Sequence, residues 1–317
     1  MRVVVTGGAG FIGSNLVDAL LAAGHEVVVV DNFSTGNEAN LIEARRNSRC
    51  SEAIVDLFAE PEHIAPVLEG ADAVVHLAAN ADVRSGWDAP RRDLDQNVLA
   101  THNLLEAMRA VGVRRCLFSS TGSVYGEADV IPTPEDAPFP VQSSLYGASK
   151  LAAEGYLAAY AEGSALSVTV FRFVSIMGRR YSHGHVIDFV GQLLRDPHRL
   201  VVLGDGSQRK SYLDVSDCVA AILMRLDKHP KFEVLNLGVD DSCTVRESAQ
   251  WICARMGVTP TLEFGTGDRG WIGDNPFIYL DCRRMFSHGW RPRYSIREAV
   301  ERTVDDLLER STSWFDR

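Results

Sequence analysis

Residues 3–13 constrain the fold of this chain more than any other stretch: Val3-Val4-Val5-Thr6-Gly7-Gly8-Ala9-Gly10-Phe11-Ile12-Gly13. An unbroken run of β-branched residues reads as a strand buried on both faces. A glycine-dense turn follows, and then Phe11, Ile12, Leu16, Val17, Leu20 and Leu21 recur at helical spacing until Gly24, a plausible C-terminal stop. Strand, glycine turn and helix in this order give a glycine fingerprint its meaning, because the helix N-terminus offers unpaired N–H groups and a positive dipole end to a pyrophosphate. Side chains at Gly7, Gly10 or Gly13 would block that approach. The spacing is G-x-x-G-x-x-G. The next strand, Val27–Val30, ends in Asp31, whose carboxylate lies about 20 residues past the glycines and suits the hydroxyls of an adenosine ribose. It would repel a 2′-phosphate, so NAD is expected over NADP.

The pattern repeats along the chain. Further strands are expected at Ala53–Asp56, Ala73–Ala79, Arg115–Phe118 and Ser167–Phe173, with helices at Pro61–Leu68, Pro90–Val111 and Tyr146–Ala161 between them and a helical patch over 37–46. Six strand–helix alternations make a doubly wound parallel α/β sheet the economical fold. Past Arg172 the regularity breaks into short strands and helices, which predicts a smaller, interleaved second α/β lobe that caps the sheet and holds a substrate. The expected division is 1–171 and 172–317, with part of 213–238 packed onto the first.

Composition removes other classes. Of 317 residues, 46% are apolar and 23% charged, as in an ordinary water-soluble globule. A net charge of −10 without a basic run argues against nucleic acid as partner. No run is long enough to span a membrane, and a first strand opening at Arg2 leaves no room for a signal peptide, so a cytoplasmic protein is expected. Six scattered cysteines without a C-x-x-C pair read as thiols in a reducing compartment. His183 and His185 have no third ligand at suitable spacing, and no metal is expected. His76, inside an apolar run, reads as a core histidine.

Chemistry is expected at the carboxyl ends of the strands, where open α/β sheets bind ligands. After Asp31 a polar turn holds Asn32, Ser34, Thr35 and Gly36; Asp56-Leu57 ends the third strand; Leu77-Ala78-Ala79 ends the fourth with small residues that admit a ligand to the backbone. Asn97 could reach a cofactor or cap a strand. The fifth strand runs into Ser119-Ser120-Thr121-Gly122-Ser123. Tyr146 and Lys150 are spaced i, i+4 and share a helix face, so the ammonium can stabilise a tyrosinate and make the phenol a usable base. Thr121 is the hydroxyl best placed to bond the same substrate oxygen.

Taken together, G-x-x-G-x-x-G, Asp31, Asp56-Leu57, His76-Leu77-Ala78-Ala79, Asn97, Ser119-Ser120-Thr121, Tyr146/Lys150 and Gly204-Asp205-Gly206-Ser207-Gln208 resemble the extended short-chain dehydrogenase/reductase family, of NAD-dependent epimerase/dehydratase type. Within it the chain looks like the nucleotide-sugar enzymes of UDP-glucose 4-epimerase kind. The resemblance implies a Rossmann domain, a tightly held NAD, a nucleotide diphospho-sugar substrate, a Tyr146/Lys150/Thr121 catalytic set and a homodimer built on the helices around 90–111 and 146–161. Cofactor contacts are implied for Gly7, Gly10, Phe11, Ile12, Gly13, Asp31, Asn32, Ser34, Thr35, Gly36, Asp56, Leu57, Leu77, Ala78, Ala79, Asn97, Ser119, Tyr146, Lys150 and Phe173.

The same resemblance narrows the reaction. Nucleotide-sugar 4,6-dehydratases carry Thr-Asp-Glu after the fifth strand and UDP-glucuronate decarboxylases keep a Glu there, but this chain has Thr121-Gly122-Ser123. Without an acid to protonate a leaving hydroxyl, oxidation and return reduction at C4 is expected. Substrate contacts are implied for Thr121, Gly122, Ser123, Tyr146, Ser175, His185, Val186, Lys210, Arg269 and Asp274. Three departures stand out. Ser175 replaces an Asn, Lys210 replaces a forked Arg, and the segment holding Arg269 and Asp274 is two residues longer than usual. Arg179-Arg180-Tyr181-Ser182-His183-Gly184-His185 suits either a solvated loop, the preferred reading, or a uronate carboxylate.

Overall fold

The computed structural model describes residues 1–83, 86–138, 141–270 and 275–311. The chain forms two compact units. The first is Met1–Gly126, Pro138–Phe173 and Val219–Leu235; the second is Glu127–Ala137, Val174–Cys218 and Asn236–Arg317. The second unit therefore takes in 127–137, which the sequence-based division leaves in the first.

In the first unit, β1 (Arg2–Thr6), β2 (Glu26–Asp31), β3 (Cys50–Ile54), β4 (Ala73–His76), β5 (Arg115–Thr121) and β6 (Ser167–Phe173) lie in one sheet with the edge strand Phe232–Leu237. The order is β3-β2-β1-β4-β5-β6-(232–237), and the pairings of β1 to β6 are parallel. Val3, Val4 and Val5 are fully buried, as an all-apolar strand demands. The order reverses direction between β1 and β4, which opens a crevice at their carboxyl ends.

The helices follow their sequence signals. α1 (Phe11–Ala22) buries Leu16, Val17, Leu20 and Leu21 and ends where Gly24 turns left-handed at φ +88°, its N–H donating to Leu21 O. α2 (Pro61–Leu68) opens with proline at its first position. The helix expected over 90–111 is broken into three: a turn, α3 (Pro90–Asp93), a π-helical segment (Leu94–Leu99), and α4 (Ala100–Val111), which stops at Gly112 with φ +78°. The patch expected over 37–46 is only two short 3₁₀ turns. α5 (Leu145–Gly163) is capped by Ser144, whose hydroxyl accepts from Gly147 N–H at 3.0 Å. Leu104, Phe118, Leu157 and Val168 meet in the core beside the sheet; truncating one such leucine to alanine costs about 2–5 kcal/mol.

The second unit is built from short pieces. β7 (Ser175–Met177) pairs in parallel with β10 (Tyr212–Asp214), β8 (Arg199–Val202) pairs in parallel with β13 (Thr261–Phe264), and β9 (Arg209–Lys210) lies between β12 (Cys243–Thr244) and β14 (Phe277–Ile278). Its helices are α6 (His185–Arg195), α8 (Val245–Met256), α9 (Arg283–Ser287) and α10 (Ile296–Ser311). α7 (Val215–Arg225) begins in this unit and ends in the first, leading to β11 (Phe232–Leu237), the edge strand already described. α8 carries a full capping box, Thr244 with Glu247, and a left-handed Gly257 stop.

A buried arginine fixes the returning segment in the first unit. Arg115, 1% exposed, donates to Arg225 O at 2.7 Å and to Thr169 Oγ1 at 2.9 Å. Ser167 Oγ donates to Pro230 O at 2.6 Å, so β5, β6 and residues 225–230 are tied together by carbonyl-directed bonds.

Candidate active site

The glycine turn is shaped by contacts that tolerate no side chain. Gly7 has φ +66°, and a Cβ there would lie 2.7 Å from Ala78 N, so the turn rests on the end of β4. A Cβ on Gly13 would run into the Gly7 carbonyl oxygen, so the first turn of α1 sits directly on the glycine loop. α1 starts at Gly10 with no side-chain cap hydrogen bond and no acidic residue in its first turn, so no carboxylate there competes for its positive end. Asp31 Oδ2 accepts from Ala9 N–H at 2.9 Å and Oδ1 from Phe33 N–H at 2.8 Å. Gly36 packs on the same carboxylate, where a Cβ would lie 2.7 Å from Asp31 Oδ1. A dinucleotide fits this cradle: a glycine-lined helix N-terminus for phosphate, and a carboxylate beside it for ribose hydroxyls.

The other candidate cofactor residues line the same strand ends. Asn32 Oδ1 accepts from Ser34 N–H, which folds 32–36 into a tight polar turn. Asp56 is exposed and its Oδ1 accepts from Phe58 N–H at 2.9 Å, while Leu57 is buried. Leu77, Ala78 and Ala79 are half-buried, with Leu77 and Ala78 N–H held by Thr6. Ser119 Oγ donates to His76 O, and Phe173 is buried at the end of β6. His76 is buried in the core, Nδ1 2.7 Å from Thr6 Oγ1 and Nε2 3.0 Å from Thr101 Oγ1.

Asn97 is committed to the chain itself. It lies in the π-helical segment, 1% exposed; its Oδ1 accepts from Asn80 N–H at 2.8 Å and its Nδ2 donates to Ser149 Oγ at 2.8 Å. It also reaches Asn80 O and Asp93 Oδ1, so one amide joins β4's exit, α3 and α5. The widened π turn accommodates this cross-bracing, and it breaks the regular helix that periodicity alone suggests.

Tyr146 and Lys150 stand on α5, one turn apart, and the Thr121 hydroxyl at the end of β5 acts to lower the pKa of the Tyr146 phenol. Thr121 Oγ1 also donates to Ser123 Oγ at 3.2 Å and accepts from Ser123 N–H, which closes a turn containing Gly122 and no carboxylate. Lys150 is 1% exposed, its Nζ 4.1 Å from the centroid of the Phe118 ring. The electrostatics differ from the simple picture of an ammonium depressing a phenol. Burial, with a contribution from Asp93, pushes Tyr146 up to about 12, offset in part by Thr121. Burial pushes Lys150 down to about 7, with Glu154 working in the opposite sense. Desolvation is the largest influence on both groups.

In the second unit, Val186 is fully buried and His185 Nε2 lies 2.8 Å from Ser248 Oγ, its ring 5.2 Å from that of Tyr212. Burial, then Lys210, holds His185 down at about 4, so it is neutral at physiological pH. Lys210 Nζ donates to Asn275 O. Ser175 is exposed on β7. Arg269 pairs with Glu127 at 2.6 Å. Asp274 lies outside the described residues. The 179–185 loop is neither wholly solvated nor an open cation cluster: Arg179 and His183 are exposed, but Arg180 is 7% exposed and its N–H donates to Asp306 of α10 at 2.9 Å.

Sequence reasoning missed Asp93, whose carboxyl accepts from Asn80 Nδ2 at 2.8 Å and is raised by burial. It also missed Glu154 and Arg172, a fully buried ion pair. A carboxylate at the next i+4 step after Tyr146 and Lys150 was the available signal for Glu154.

Comparison with known proteins agrees with this geometry. Residues 3–238 match the model of the NAD-dependent epimerase/dehydratase family. The chain is 32% identical over 316 residues to UDP-glucose 4-epimerase of Mycolicibacterium smegmatis, covering 98% of this chain and 100% of that protein. It is also 32% identical over 321 residues to UDP-glucuronic acid decarboxylase 1 of Arabidopsis thaliana, covering 98% of this chain and 70% of that protein. A crystal structure of a UDP-galactose 4-epimerase superposes with a TM-score of 0.87 at 39% identity, covering 98% of this chain and 99% of the other.

Proposed function

Because the chain belongs to the NAD-dependent epimerase/dehydratase family, we propose that it is a nucleotide-sugar 4-epimerase acting on a UDP-hexose of the glucose/galactose type. The observation that carries this reading is Tyr146 one helical turn from the buried Lys150 on α5, in a chain whose Thr121–Ser123 turn has no carboxylate. A base is at hand for the C4 hydroxyl, and the turn offers no acid to expel another hydroxyl.

NAD, when bound, supplies a hydride acceptor that gives the hydride back within the same turnover, so there is no net redox change. The chain's residues do the rest. Tyr146 takes the O4 proton as the C4 hydrogen leaves as hydride, and returns it once the 4-keto sugar has turned its other face. Thr121 holds the phenol oxygen and the sugar hydroxyl in one line. Lys150 supplies positive charge one helical turn away, strong in effect because the site is dry. Gly7, Gly10 and Gly13 admit the pyrophosphate, and Asp31 takes the adenosine ribose. We assign the nucleotide-sugar contacts to Ser175, His185, Val186, Lys210, Arg269 and Asp274. Neutral His185 acts there by hydrogen bonding and stacking, not by charge.

A second reading, a UDP-uronate epimerase or decarboxylase, is favoured by the equal similarity to the plant decarboxylase. The test is incubation with UDP-, dTDP-, GDP- and CDP-sugars, uronates included, with products resolved by NMR and mass spectrometry. Interconversion at C4 with unchanged mass supports the proposal; loss of water or carbon dioxide rejects it. We further propose a cytoplasmic homodimer packed through α4 and α5, where Tyr156 is exposed. Light scattering reads the mass, and a monomer at micromolar concentration rejects that arrangement. Among the described residues no helix is long and apolar enough to cross a membrane.

A further inference from the structure

The face of α5 that carries Tyr146 and Lys150 carries a third polar residue one turn further on. Glu154 is 4% exposed and its carboxylate is held by two side chains. Arg172, on β6 and 3% exposed, donates Nη2 to Oε2 at 2.7 Å and Nε to both oxygens at 3.1 and 3.2 Å. Ser120, next to Thr121 on β5, donates its hydroxyl to Oε1. Arg172 in turn donates Nη1 to the Tyr125 hydroxyl at 2.7 Å and stacks 4.7 Å over the Tyr125 ring. One carboxylate thus joins α5, which bears Tyr146 and Lys150, to β5, which ends in Thr121, and to β6 through Arg172.

We propose that Glu154 is a positioning residue that keeps the buried Lys150 ammonium charged and fixes Thr121 against α5, with Arg172 setting how much of its field Lys150 feels. The catalytic meaning of this rests on the function proposed above; the effect on Lys150 does not. The argument is one of charge in a dry space. Lys150 faces the Phe118 ring from β5 and neutral His76 from β4, with Tyr146 and Glu154 on its own helix and Arg172 beyond. Asp93 of α3 acts on Tyr146. Among these, Glu154 is the anion placed i+4 from Lys150, the spacing at which helical side chains meet. Burial alone drives an ammonium toward its neutral form, and a neutral amine would give a tyrosinate no support. A buried ion pair adds little stability compared with apolar packing, which leaves room for a role in setting the field around Lys150.

The two members of the pair have opposite charge, and this gives a test with opposite signs. The chain contains four lysines, Lys150, Lys210, Lys228 and Lys231, so lysine labelled with ¹³C at the ε carbon gives few NMR signals. Lys150→Arg identifies the Lys150 signal. In the ligand-free protein Glu154→Gln, which removes the anion and leaves the Arg172 charge uncompensated, is expected to lower the Lys150 titration midpoint by about one pH unit. Arg172→Gln, which leaves Glu154 unopposed, is expected to raise it. Shifts of the same sign, or none, overturn the proposal, because loss of packing alone has no reason to reverse with charge. If a single variant fails to fold, the neutral pair Glu154→Gln with Arg172→Gln carries the test. Its midpoint is expected to fall, by less than in Glu154→Gln, and an unchanged midpoint overturns the proposal. In turnover assays the alkaline limb of the pH profile should follow the NMR midpoint. An NMR shift without a matching limb leaves Glu154's effect on Lys150 standing and rejects the catalytic use of Lys150 instead.

Discussion

Tyr146 is the residue on which turnover is expected to rest. Tyr146→Phe removes one oxygen from a half-buried residue and leaves the glycine cradle untouched. We expect turnover to fall by about 10²–10⁴-fold, the range for loss of a positioned acid–base group, with bound NAD retained as read by absorbance of the denatured protein. Full activity would remove Tyr146 from the mechanism. Asp93 acts on the same phenol at a distance. Its charge contributes to raising Tyr146, so Asp93→Asn should lower the phenol's pKa and carry the ascending limb of the pH–rate profile to lower pH, by up to about one unit. Asn keeps an acceptor for Asn80, which separates the charge effect from loss of the hydrogen bond. A stationary limb would show that Asp93 does not reach the base.

Among the elements, β1 and α1 meet through Gly13 on the Gly7 carbonyl. Gly13→Ala forces that turn apart, and we expect NAD affinity to drop at least 10-fold by fluorescence titration while circular dichroism stays that of the native sheet. Unchanged affinity would show that the turn can yield. This junction was legible in the sequence because backbone proximity leaves a direct mark: only glycine fits. The same holds for the apolar strands, for the Gly24 stop and for Tyr146 and Lys150 on one helix face. Other features leave no such mark. The π-helical segment at 94–99 depends on Asn97 finding Asn80 and Ser149, partners 17 and 52 residues away. Glu154 and Arg172 are 18 residues apart and read as ordinary charges until the fold buries both. The depressed Lys150 likewise comes from burial, which a one-dimensional pattern underestimates for a lysine. The substrate side was least legible, since Lys210 and Arg269 are distinguished only by the partners the fold gives them.

For the whole molecule, acid stability should carry the signature of His76. Burial, then Lys150, holds it down at about 3, against 6.5 for the unfolded chain. Between those values the unfolded state binds a proton that the folded state refuses, so stability falls as pH drops from about 6.5 toward 3. Thermal melts across that window should show a steeper decline for the native protein than for His76→Gln, and parallel slopes would contradict it. A larger consequence follows from the path of the chain. Residues 219–235 come back to complete the sheet after the whole of 174–218 has been spent elsewhere, and Arg115 is buried against carbonyls at 225 and 226. A fragment ending near residue 174 would therefore expose the flank of β6 and strand a guanidinium in the interior with its acceptors gone. We expect such a fragment to be recovered as aggregate, and to be rescued by fusing 219–238 to its end through a short flexible linker. The sheet's last strand is thus written far downstream of its neighbour, and a gene cut near that point would leave neither product with a finished sheet.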